Sequence, residues 1–230
     1  MTVTIPTLGY TDLRRLMDLQ LGDEKHTPSA TSTLDVLWVL YDRILRIDPD
    51  HTDDPDRDRF VLSKGHGPMA YYAVLAAKRF FDVETLRSFG HYDSPLGYNP
   101  DRNLVPGVEI SSGSLGHGLG IAVGMSLGLR ARRSPARVAC LVGDAELDEG
   151  SNHEAIAFAG RARLDNLTVV AVDNQSSSYG WPGGLAARFS LEGWSSATVD
   201  GRDRAALEQA FEIEHVGRPR AVVAVVASKA

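Results

Sequence analysis

Residues 138–174 constrain the fold more than any other stretch. An apolar run, Val138, Ala139, Cys140, Leu141 and Val142, meets Gly143 and Asp144. A helical segment follows, and a second apolar run, Leu167, Thr168, Val169, Val170, Ala171 and Val172, ends at Asp173-Asn174. Short apolar runs closed by polar turns read as buried strands, and strand, helix, strand over this span is one βαβ unit, which joins parallel strands. In a parallel sheet the carboxyl ends of neighbouring strands lie side by side, and ligands gather there. Asp144 and Asn174 occupy those two ends. A carboxylate and an amide oxygen are donors that a hard cation such as Mg²⁺ or Ca²⁺ accepts, with water, backbone carbonyls or phosphate completing the shell. The competing reading of this stretch alone is an ordinary crossover with acidic turns.

The rest of the chain fits the same architecture. Leu13, Leu16, Met17 and Leu19 carry a helical spacing, and Leu34, Val36, Leu37, Val39, Leu40, Ile44 and Leu45 form a broad apolar stripe with Thr33 as a candidate cap. Residues 50–59 read as a solvated, charged turn, and Phe60-Val61-Leu62 as a short buried strand. Helices are expected from Tyr71 to Leu75, from Val83 to Ser88 and from Ile121 to Arg130. Residues 179–184 read as a loop. Strands at 196–199 and 220–226, with a helix between them at 204–211, complete the pattern. The expected fold is α/β: a doubly wound, mainly parallel sheet flanked by helices, as a single domain over residues 1–230. Glycine is dense between Gly107 and Gly120, where backbone can approach a ligand or other backbone closely.

Composition excludes several classes. The formal net charge is −6 and no basic cluster stands out, so nucleic acid is not an expected partner. There is no run of 18 apolar residues, so no membrane span is expected. Residues 1–10 lack the basic start and apolar core of a signal peptide. The one cysteine, Cys140, lies in an apolar run and suits a reducing cytoplasm.

The stretch Gly143-Asp144-Ala145-Glu146-Leu147-Asp148-Glu149-Gly150, followed by Asn174, resembles the thiamine-pyrophosphate motif of the transketolase family. Three further stretches resemble that family in order: Arg46-Ile47-Asp48-Pro49; the segment from Arg57 through Ser63-Lys64-Gly65-His66; and Val105-Pro106-Gly107-Val108-Glu109 with Gly113-Ser114-Leu115-Gly116-His117-Gly118. The resemblance is to the amino-terminal, pyrophosphate-binding half, and is nearest the split form in which each half is a separate polypeptide. It implies a thiamine diphosphate-binding fold, with thiamine diphosphate held through Mg²⁺ (or Ca²⁺ or Mn²⁺). Asp144 and Asn174 match the side-chain metal ligands, the carbonyl of Ser176 a third, and the Ala145 N–H a phosphate contact near Gly143. A helix beginning near Gly150 would direct its positive end at that anion. His66 matches a histidine touching cofactor and substrate, and His26 a substrate-side histidine. Gly113, Ser114 and Leu115 match the turn that cups the thiamine rings, a stretch that tight helix packing also explains. Glu149 matches an acidic residue near the contact between paired cofactor sites.

The resemblance further implies transfer of a two-carbon ketol unit between sugar-like molecules. The glutamate that activates the cofactor's aminopyrimidine belongs to the other half. A partner carrying that pyrimidine-binding half, in an α₂β₂ assembly, is therefore expected. A deoxyxylulose-phosphate synthase-like enzyme and a non-catalytic cofactor-binding subunit are the alternatives. Departures from the family pattern are Ala145 in place of glycine, Asn99 where a sugar-binding histidine is usual, and Ser176-Ser177-Ser178 in place of a more apolar pattern. They point to an altered substrate.

Overall fold

The computed structural model describes residues 8–20, 31–65 and 67–226. Among them five strands form one sheet in the order β1-β2-β3-β5-β4, and every neighbouring pair is parallel. The strands are β1 (Arg59–Leu62), β2 (Val138–Gly143), β3 (Leu167–Asp173), β4 (Ser195–Asp200) and β5 (Arg220–Val225). The helices are α1 (Leu13–Asp18), α2 (Leu34–Val39), α3 (Met69–Ala77), α4 (Gly118–Ala131), α5 (Gly150–Arg161), α6 (Gly184–Leu191) and α7 (Arg204–Glu212). The expected doubly wound architecture is therefore present.

Side-chain alternation along the strands separates two cores. Leu141, Val170, Val172, Val222 and Ala224 face α1, α2, α3 and α7 on one side. Cys140, Val142, Val169, Ala171 and Val223 face α4, α5 and α6 on the other. A sheet covered on both faces explains why its strands are continuous apolar runs rather than alternating ones. Each fully buried valine or leucine contributes about 1.5–3 kcal/mol. Cys140 is fully buried in this core: burial, with Glu146 nearby, pushes its thiol well above the ordinary range.

Several elements differ from the sequence expectation. The stripe beginning at Leu34 is an α-helix only to Val39 and continues as a π turn over Leu40–Ile44. The helix expected at Val83–Ser88 is present with those bounds, in 3₁₀ form. Helix α6 occupies residues that follow the expected loop; Gly183 at φ 81 starts it, and Leu185 and Phe189 bury its inner side. The charged turn at 50–59 is only partly solvated, because Asp58 is fully buried. Its carboxylate accepts from the backbone N–H groups of Arg46 (3.0 Å) and Arg137 (2.8 Å) and from both their guanidinium groups (3.0 and 2.7 Å). It thereby clamps the starts of β1 and β2 to the end of the π turn. Burial alone would raise the Asp58 carboxyl, but Arg137, Arg46 and their amides hold it below the usual carboxylate range.

Gly160 shows how closely α5 packs. A methyl group there would land on the backbone carbonyl of Glu192. Gly160→Ala is expected to cost about 1–3 kcal/mol through overpacking, read as a lower Tm with unchanged secondary structure. A Tm equal to wild type would show that the 192–194 turn gives way.

Candidate active site

Strands β1, β2 and β3 end side by side, and their exit loops converge. The β1 exit leads through Ser63 to Gly65. A Cβ on Gly65 would stand 2.8 Å from the amide nitrogen of Gly113 and 2.9 Å from Ser112 Oγ, so these two glycine-bearing loops touch through backbone. Gly113 has φ +127, a conformation closed to most side chains, and the Asn99 amide packs on it, 2.9 Å from where its Cβ would be. Ser112 Oγ is buried there with no hydrogen-bond partner among the described residues. Ser114 is exposed and its hydroxyl lies 3.0 Å from His117 Nδ1 at the start of α4, while Leu115 is exposed at the rim.

At the β2 exit, Gly143 and Asp144 are buried. Ala145 is not among the residues with positive φ, so the alanine sits without backbone strain where the family pattern has glycine. A 3₁₀ turn, Ala145–Asp148, separates Asp144 from α5, a feature that the sequence pattern does not predict. Glu149 is the N-cap of α5 and is exposed at its outer end, and a Cβ on Gly116 would stand 2.7 Å from the Glu149 Cβ.

At the β3 exit, Asn174 is buried and its Oδ1 has no hydrogen-bond partner among the described residues. Gln175 follows in the left-handed region, φ 58, which costs roughly 1–2 kcal/mol for a residue with a side chain. That bend carries the next residues back to β2. The Asp144 carboxylate accepts from Ser176 N–H (2.6 Å), Ser176 Oγ (2.6 Å) and Ser177 N–H (3.1 Å). Asp148 accepts from Ser177 Oγ (2.9 Å) and Ser178 N–H (2.9 Å). Two carboxylates thus hold the serine loop. Farther along, Trp181 lies against His153, ring centroids 5.2 Å apart, and the Arg188 guanidinium stands 5.1 Å from the Trp181 ring centroid. His153 is therefore engaged with the loop after β3.

Glu146 does not stand out in the sequence. It is buried, and its carboxylate accepts from Ser63 Oγ, Gly116 N–H (3.1 Å) and Gly143 N–H (3.2 Å). Burial pushes this carboxyl up, against the pull of those three donors and of Lys64. The signal available in sequence was its place two residues after Asp144, which does not reveal which way its side chain turns.

The structure brings Gly113, Gly143, Asp144, Ala145, Asn174 and Ser176 to one end of the sheet. His26 and His66 lie outside the described residues. No group of three or more His, Cys, Asp or Glu suited to a metal ion occurs among the described residues. A cation here would depend on one carboxylate with amide and carbonyl oxygens. The buried, unpaired Asn174 Oδ1 fits that donor set, since a polar atom buried without a partner is costly unless something binds it.

Residues 17–227 match the family model described as transketolase, thiamine diphosphate binding domain. The chain is 55% identical over 219 residues to "Ferredoxin fas2" of Rhodococcoides fascians, covering 95% of this chain and 72% of that protein. A single cysteine gives this chain no ligand set of its own for an iron–sulfur cluster. It is 34% identical to an apulose-4-phosphate transketolase subunit of Actinobacillus succinogenes, covering 86% of this chain and 75% of that one. It is 35% identical to the 6-deoxy-6-sulfo-D-fructose transketolase subunit SqwG of Clostridium sp., with 86% and 75% covered. Among solved structures, the transketolase from Leishmania mexicana superposes with a TM-score of 0.78 at 23% identity, over 96% of this chain and 37% of that one. At that identity the likeness shows the fold, and the chain spans little more than a third of that solved transketolase.

Proposed function

Since this chain belongs to the transketolase family through its thiamine diphosphate binding domain, we propose that it is the pyrophosphate-side subunit of a two-component enzyme that moves a two-carbon ketol unit between sugar-like substrates. The observation that carries this reading is the convergence of a buried carboxylate, Asp144, and a buried amide oxygen without a partner, Asn174 Oδ1, at adjacent strand ends. Asp144, Asn174 and the Ser176 carbonyl would hold Mg²⁺ against the diphosphate, which no basic residue in the motif offsets. The Ala145 N–H and the start of α5 would face the same anion. Gly113, Ser114 and Leu115 would border the thiamine rings, and His26 and His66 would meet substrate. When bound, thiamine diphosphate supplies the carbon nucleophile and electron sink for ketol transfer. The protein's share is to fix the cofactor's position, exclude water and bind the changing charge.

The pyrimidine-side partner would supply the rest of the site, in an α₂β₂ assembly in the cytoplasm. No helix among the described residues is long and apolar enough to cross a membrane. Relatives named for apulose 4-phosphate and 6-deoxy-6-sulfo-D-fructose favour a substrate other than the usual pentose phosphates. Asn99, packed on Gly113 where a histidine is usual, supports that choice, since an amide forms hydrogen bonds but carries no proton. The test is turnover by the purified chain with Mg²⁺ and thiamine diphosphate, alone and with a pyrimidine-side partner. Product is expected only from the pair. Turnover by the chain alone sinks the two-component reading, and ordinary rates on xylulose 5-phosphate sink the altered-substrate reading.

A further inference from the structure

The Glu146 side chain joins three of the segments that meet at the site: its carboxylate takes Ser63 from the β1 exit, Gly116 from the glycine turn before α4, and Gly143 from the end of β2. Its backbone carbonyl accepts from Asn152 Nδ2 at 2.5 Å, which ties the same residue to the first turn of α5. We propose that Glu146 is a positioning residue that sets the β1-exit loop and the glycine turn in register with Asp144, so that the diphosphate and thiamine-ring contacts form together. This inference rests on the cofactor reading above and deepens it.

The packing around Glu146 explains why a carboxylate is needed. Both backbone donors, Gly116 N–H and Gly143 N–H, point at different oxygens of one group. A carboxylate is acceptor-only and serves both. An amide has a single oxygen. In Glu146→Gln, whichever way the amide turns, its NH₂ faces one backbone N–H, and that donor is left buried and unpaired. Aspartate is one methylene shorter and cannot span from the 3₁₀ turn to both glycines without moving it. The neighbours leave little freedom to compensate. A methyl on Gly118 would strike the Ser63 side chain, and one on Gly143 would stand 3.3 Å from Lys64 Cδ, so the loops are already packed to contact.

A residue that only supports the fold and one that sets loop register give different results in two measurements. The first is hydrogen exchange in the chain without cofactor. Glu146→Gln is expected to speed exchange at Gly116 and Gly143 selectively, leaving the β3 and β5 amides protected. The second is titration of thiamine diphosphate at saturating Mg²⁺, by calorimetry. Glu146→Gln is expected to raise the half-saturation concentration by about tenfold, the scale of one buried hydrogen bond to a charged group. Leu207→Ala serves as the control: Leu207 is fully buried against the opposite face of the sheet, so it lowers Tm without touching these loops. Its half-saturation is expected to stay at the wild-type value. The proposal is overturned if Glu146→Gln leaves exchange at Gly116 and Gly143 unchanged, or if the leucine variant loses as much affinity as the glutamine variant. Failure of the wild-type chain to bind thiamine diphosphate even together with its pyrimidine-side partner would instead count against the cofactor reading, and the exchange comparison still decides the role of Glu146.

Discussion

Replacing Asp144 by asparagine is expected to abolish Mg²⁺-dependent binding of thiamine diphosphate while leaving the sheet folded. The substitution keeps volume and removes the one charge in the proposed donor set. Removing an outer partner of a metal ligand typically costs 10–100-fold in affinity, and loss of a ligand carrying the charge is expected to exceed roughly 100-fold. The variant also places an amide where Ser176 and Ser177 now donate three hydrogen bonds to the carboxylate. The serine loop should therefore loosen together with the loss of binding. Calorimetry with and without Mg²⁺ measures the first effect, and the thermal shift on adding both ligands checks it independently. Wild-type affinity in Asp144→Asn would mean that the cation is held elsewhere.

The second large effect concerns stability. Asp58→Ala is expected to cost about 3 kcal/mol, because the clamp's two guanidinium groups and two backbone N–H groups lose a fully buried acceptor. For a protein of this size that corresponds to a Tm lowered by roughly 6–12 °C. The effect has a definite pH dependence. The folded Asp58 carboxyl lies below its ordinary value, so its contribution is fully present above the unfolded value of about 3.9 and is lost as pH falls through the lower folded value. The difference between wild type and variant should be constant near neutrality and shrink in acid. A difference that grew as pH fell would contradict the clamp.

Much of the fold was legible because buried parallel strands leave a simple mark. The runs at β2, β3 and β5 are apolar on both faces, and the turns after β2 and β3 are polar, so strand ends and site coincide in sequence. Two kinds of information were not legible. One is local geometry decided by packing. The 3₁₀ turn after Asp144, the π turn at Leu40–Ile44 and helix α6 carry no periodicity that separates them from loop or α-helix. The other is burial of charge. Asp58 and Glu146 sit in polar stretches and read as solvated until the donors that satisfy them are known. Those donors come from residues distant in the chain, such as Arg137 for Asp58 and Gly116 for Glu146. The place of Asn174 at a strand end is legible in the sequence, whereas the unpaired state of its oxygen is a property of the folded chain alone.

The strand order has a consequence for how the molecule must be assembled. Strand β5 lies between β3 and β4, although it follows both in the chain. Until residues 220–225 arrive, β3 ends the sheet with a bare row of amides and carbonyls, and β4 has no neighbour among the described strands. Such open edges invite pairing with other chains. A ribosome-bound or truncated product that stops short of β5 therefore exposes a sticky margin directly beneath the β3 exit that carries Asn174. Strand β5 fills that slot, pairing the open side of β3 and giving β4 its neighbour.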